Sequence, residues 1–191
     1  MELPLIKNIK DKSGMTIMEL IIAMLVSGLL LGYGVIKYLD FNKSQTVKNV
    51  GLNVKSELRR IQGKALAGVK PPECGSSRLD GYTVDFLNSD AAYCPDGSCL
   101  VSQAVCSGTP LGDISIYLLT PNFAFDPPLP GTLTLYTLAG GTDDYGRLTI
   151  RGYTNPNDYY YQICITQGGD IKDCGFQKET PGSWADCGGC P

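Results

Sequence analysis

The 191-residue chain contains no histidine. Ser/His and Cys/His nucleophile pairs are therefore excluded, and the commonest general base and metal ligand is missing, which weighs against an enzyme. Charge is sparse as well, at 18 % of residues, and 16 Lys and Arg against 19 Asp and Glu leave a formal charge of -3. That balance offers no cationic field to neutralise a phosphate backbone, so no nucleic-acid partner is expected. No proline falls between Pro4 and Pro71, and no cysteine precedes Cys74. The first absence permits one uninterrupted helix. The second removes any cysteine near the N-terminal apolar run to which a lipid could be attached. What the chain does have is 43 % hydrophobic residues, enough for one globular core plus an extra segment.

Residues 1–14, MELPLIKNIKDKSG, are short and carry Lys7, Lys10 and Lys12 directly before an apolar run. From Met15 to Ile36 the only charged residue is Glu19. As a helix this stretch reaches about 30 Å, the thickness of a bilayer core. The lysines mark the side that stays in the cytoplasm, so the chain beyond Ile36 is expected outside it, held in the inner membrane by a single pass. A cleavable secretory signal of A-x-A type is not evident in LLLGYGVIKYLD. A carboxylate inside such a run costs up to a few kcal/mol on insertion, less near the interface, and is generally kept for a function.

Beyond Ile36 the helical spacing continues in amphipathic form over 37–68, with Leu58, Ile61, Ala65 and Leu66 forming a stripe and Gly68 with Pro71-Pro72 as the stop signal. One helix of roughly 50 residues is expected, with Gly28, Gly32, Gly34 and Gly51 as points where it could bend. Residues 69–191 read as a β-rich head. YTVDFL, DISIYLL, TLTLYTL, RLTIRG and YYYQICI are strand-like, and PNFAFDPPLPG and AGGTDDYG are turns. Strands in direct succession imply an antiparallel sheet, and the amphipathic half-helix is the element available to cover it: an α+β fold.

The segment Lys12-Ser13-Gly14-Met15-Thr16-Ile17-Met18-Glu19-Leu20, followed by its apolar run, resembles the N-terminus of type IV prepilins and pseudopilins. The resemblance implies a leader, residues 1–14, cut by prepilin peptidase between Gly14 and Met15, and N-methylation of Met15. It also implies that residues 15–36 serve as membrane anchor and then as assembly helix. Glu19 is then the fifth residue of the mature chain, the position that in the family neutralises the terminal amine of a neighbouring subunit. Met15 and Met18 stand where aromatic and aliphatic residues are more frequent. The implied partners are prepilin peptidase, other pilin subunits and the membrane before assembly; the implied function is a structural subunit of a pilus or, alternatively, of a type II secretion pseudopilus. SELRRIQGKALAG leading into GYTVDF is similar to minor pilins and H-type pseudopilins. A membrane-anchored extracellular binding domain that never polymerises is the rival from another class.

The eight cysteines, Cys74, Cys94, Cys99, Cys106, Cys164, Cys174, Cys187 and Cys190, all follow the apolar run, which suggests an oxidising compartment and disulfides. By proximity, Cys94 is expected to pair with Cys99 or Cys106, and Cys164 with Cys174. The terminal CGGC lacks the following helix of a redox motif, and its spacing with Cys94 and Cys99 suits zinc poorly. No cofactor or metal is expected. The acidic turns holding Asp143, Asp144, Asp170 and Asp173 are the place where calcium would bind, but neither has the full alternating-carboxylate pattern and ordinary turns explain them. Lys55, Arg59, Arg60 and Lys64 read as a solvated helix face. In Tyr159 to Tyr161, strand alternation predicts at least one exposed ring.

Overall fold

A computed structural model describes residues 15–86, 98–126, 132–137, 141–143, 145–152 and 158–177. The leader with Gly14, and Cys94, Asp144, Cys187 and Cys190, lie outside these residues. One helix, α1, spans Ile17–Leu66, 50 residues without a break. By contact it divides between two compact units, Met1–Phe41 and Asn42–Pro191.

The helix is closed at both ends by recognisable chemistry. Thr16 precedes it, and its hydroxyl accepts from the Glu19 amide, satisfying a donor that would otherwise have no partner in the first turn. At the other end Gly68 takes φ +61° and the Val69 amide returns to the Lys64 carbonyl, the reversal that a left-handed glycine permits.

Among the described residues eight strands make two antiparallel sheets, so the fold is α+β as expected, with two sheets in place of one. They are β1 (Leu79–Asp85), β2 (Cys99–Cys106), β3 (Thr109–Leu118), β4 (Phe123–Asp126), β5 (Thr132–Tyr136), β6 (Gly146–Gly152), β7 (Tyr159–Ile165) and β8 (Ile171–Gln177). The first sheet has the order β3-β2-β1-β5 and the second β4-β6-β7-β8. One continuous core joins them to the helix: Val47, Val54, Leu58 and Ile61 meet Val84, Leu100 and Leu133 of the first sheet and Ile150, Tyr161 and Ile163 of the second. The buried positions of α1 recur at three- and four-residue intervals, which is why one helical stripe can serve both sheets.

Polar contacts fix the helix on this core. Arg59 donates to the Ile171 carbonyl at 3.3 Å, Gln62 to the Gly169 carbonyl, and Lys55 pairs with Asp173 at 3.7 Å, all on the β7–β8 hairpin. Arg60 pairs with Glu57 one turn back and reaches Ser115 of β3. Three of the four cations of the KSELRRIQGK run are thus engaged within the head.

The tightest approach is at Gly51. A β-carbon there would stand 2.0 Å from Cδ1 of Tyr161, so the ring lies directly on the helix backbone. Gly51 sits in an unbroken helix as a seat for an aromatic ring and does not act as a bend. The tyrosine run also departs from expectation. Tyr159, Tyr160 and Tyr161 are all buried, because β7 is an inner strand whose every residue is buried on both faces. Tyr159 stacks on Phe176 with centroids 5.6 Å apart.

Cys106 pairs with Cys74, across 32 residues, and so is not the partner of Cys94. The registry explains it: Cys106 ends β2 opposite Leu79 of β1, beside the short helix Pro72–Cys74. Closing a loop of that length contributes about 3–4 kcal/mol in the chain-entropy model. Cys99, Cys164 and Cys174 are disulfide-bonded too.

Candidate functional site

The first part of α1 is the most unusual surface of the protein. Every residue from Met15 to Leu39 is exposed, including Ile17 at 80 % and Leu29 at 76 %. A large apolar side chain left in water forgoes about 1.5–3 kcal/mol of burial, so a surface of this extent requires a cover of lipid or protein. The helix is long and apolar enough to cross a membrane, with none of its apolar window buried by the rest of the chain.

Two features mark the ends of the apolar stretch. At the C-terminal side Tyr33, Tyr38 and Phe41 are exposed, and the Lys37 ammonium stands 5.5 Å from the centre of the Tyr33 ring. Aromatic rings and a lysine that reaches past them are the side chains suited to a boundary between hydrocarbon and water. At the N-terminal side is Glu19, exposed in the third helical position. There its carboxylate benefits from the positive end of the helix dipole, and with Thr16 it forms the sequence of a capping box. That local role was not apparent in the apolar pattern; the T-x-x-E spacing before the run was the signal that carried it. Met15 lies just before the cap and is 61 % exposed.

No protein-family model, curated protein or solved structure matches the chain. The reading of the site therefore rests on its own residues.

The head holds no comparable assembly of chemistry among the described residues, where no group of three His, Cys, Asp or Glu side chains is placed to hold a metal. Asp143 accepts from the Thr134 amide at 2.6 Å, Asp173 from the Gly175 amide at 2.8 Å while pairing with Lys55, and Asp170 pairs with Lys172. These acidic turns spend their carboxylates on the hairpins that contain them. Cys99, being in a disulfide, has no thiolate to offer a zinc ion.

Several ionisable groups are perturbed for structural reasons. The hydrogen bond from Arg60 holds the Glu57 carboxyl below the ordinary carboxylate range. Burial pushes the Tyr161 hydroxyl upward, reinforced by the Asp173 carboxylate. Burial lowers the basicity of Arg147, which donates to Gln162 at 3.1 Å inside the second sheet. Tyr161 and Arg147 lie in the core, while Glu57 is half-buried on the helix surface beside Arg60.

Proposed function

We propose that the chain is a type IV pilin-like structural subunit, made as a membrane precursor, cut between Gly14 and Met15 by prepilin peptidase, and assembled into a pilus or a type II secretion pseudopilus. The observation that carries this reading is a membrane-length, fully exposed apolar helix whose one carboxylate lies five residues after a glycine. The resemblance of residues 12–20 to the prepilin signal, and an α+β head built on the continuation of the same helix, support it.

The mechanism is assembly and not catalysis. In the membrane, lipid covers residues 15–36, and Lys7, Lys10 and Lys12 hold the leader on the cytoplasmic side, leaving the head outside. In the filament the same surface is covered by the helices of other copies. Cleavage exposes an α-amine at Met15, next to Glu19, and a carboxylate in a bundle of apolar helices is tolerable only when paired. An unmatched Glu19 therefore favours the docking of another subunit whose amine can neutralise it. In a lone anchored domain the same charge serves only the helix cap and dipole.

Leader processing is the test. Intact-mass and N-terminal analysis of the chain extracted from membranes is expected to find N-methyl-Met15. An N-terminus at Met1, with the leader intact in a cell that holds an active prepilin peptidase, overturns the proposal and leaves the non-polymerising anchored domain.

A further inference from the structure

Alongside α1, the head carries a groove of about 610 Å³ bounded on its far side by the β3–β4 connection. That volume lies within the range of small-ligand sites. Its floor is apolar, formed by Val47, Val50 and Phe123. Amides line its walls beside Tyr117 and Leu118: Asn42, Asn49 and Asn53 on the helix, and Asn122 across from them in a turn where its backbone holds φ +73°.

The helical amides are unexpected on physical grounds. Residues 42, 46, 49 and 53 fall on one narrow stripe of an α-helix. Asparagine and threonine are weak helix formers, yet Asn42, Thr46, Asn49 and Asn53 occupy the whole stripe. The stripe is exposed, so core packing does not require them. None of the four asparagine side chains makes a hydrogen bond among the described residues. Lys43 is the one charged residue among the described lining residues.

We propose that this groove binds a short neutral oligosaccharide. An amide presents a donor and an acceptor side by side, matching adjacent sugar hydroxyls that both donate and accept. The apolar floor receives the C–H face of a sugar ring while the edges stay hydrogen-bonded. A single ammonium gives little purchase for a strongly anionic ligand, and the lack of a carboxylate gives none for a cationic one. The apolar helix of a second copy laid here would bury the amides without partners, which is unfavourable.

The full-length chain, held in a detergent that contains no sugar, is titrated with maltotriose, cellotriose and tri-N-acetylchitotriose and followed by saturation-transfer NMR. At least one is expected to bind with a Kd on the order of 1 mM or tighter. Asn49→Ala and Asn53→Ala are each expected to weaken it about tenfold, the loss of a well-made polar contact. Because alanine favours helix, both variants should melt at or above the temperature of the unaltered chain, so lost binding cannot be ascribed to unfolding. Lys48→Gln, outside the groove, should bind normally. Failure of all three sugars at about ten times that concentration, binding indifferent to both asparagine changes, or footprinting that shows the groove covered by a second copy would overturn the proposal.

Discussion

Gly51→Ala is expected to destabilise the head by about 2 kcal/mol, although alanine is the better helix former by about 1 kcal/mol. The new methyl group would be built 2.0 Å from Cδ1 and 2.4 Å from Cγ of Tyr161. That ring has nowhere to retreat: it is fully buried, on an inner strand held by β6 on one side and β8 on the other. Relief requires the helix to lift from the second sheet, which would loosen Val47, Val54 and Leu58 together. Against a total stability of about 5–15 kcal/mol the loss is large. Gly63→Ala is the matched control, since beyond its own helical turn no atom lies within 4 Å of its β-carbon position. It should raise stability, by up to about 1 kcal/mol. Thermal melting of both variants in full-length form distinguishes the cases. A Gly51→Ala variant as stable as Gly63→Ala would show that the ring does not depend on that seat.

Glu19→Ala is expected to leave membrane insertion and leader processing intact while reducing filament yield roughly a hundredfold, if each docking step loses the 3 kcal/mol or more typical of a broken buried pair. Insertion should even improve, because a charge leaves an apolar segment. The same side chain also sits in the first turn beside the Thr16 cap, so a purely local role must be separated from pairing. Glu19→Gln does this. Glutamine preserves the capping-box geometry and removes the charge. If charge pairing drives assembly, Glu19→Gln fails like Glu19→Ala, whereas Thr16→Ala, which costs only about 1 kcal/mol of helix capping, still assembles. Normal filament yield from Glu19→Gln would assign Glu19 to the cap alone.

Much of the long helix was legible because its two halves follow different rules that both appear in the residue order. An all-apolar run and a three-and-four spacing each persist over many turns, and the missing prolines leave nothing to interrupt them. The strands were legible where alternation is clean, as in TLTLY, or where aromatic and β-branched residues run together, as in YYYQICI. They were hidden where it is not. β2 is buried along nearly its whole length, so CLVSQAVC shows no polar face. β4 lies in a proline-rich stretch that reads as a turn, and β8 carries an irregularity opposite Gln162 and Ile163 with Gly175 at φ +87°. At least one ring of Tyr159 to Tyr161 was expected outside because alternation describes a half-buried strand, and β7 is not one. The Gly51 seat and the Cys74–Cys106 bridge depend on contacts distant in sequence, and no local pattern encodes them.

The helix assignment of the site needed only composition. Its cap, its aromatic boundary at Tyr33 and Lys37, and the asparagine stripe beyond it became meaningful once the residues were placed on faces. Lipid covers the apolar surface before assembly and neighbouring copies cover it in the filament, and the two states leave different neighbours within reach of a probe.

Photo-crosslinking in intact cells decides between them. A photoreactive amino acid introduced in place of Leu29, exposed at mid-segment, is predicted to yield a ladder of covalently joined dimers, trimers and longer oligomers of the chain, and to lose that ladder when Glu19→Gln is added. A probe at Leu29 that labels only lipid, with the chain recovered as monomer, would contradict the account.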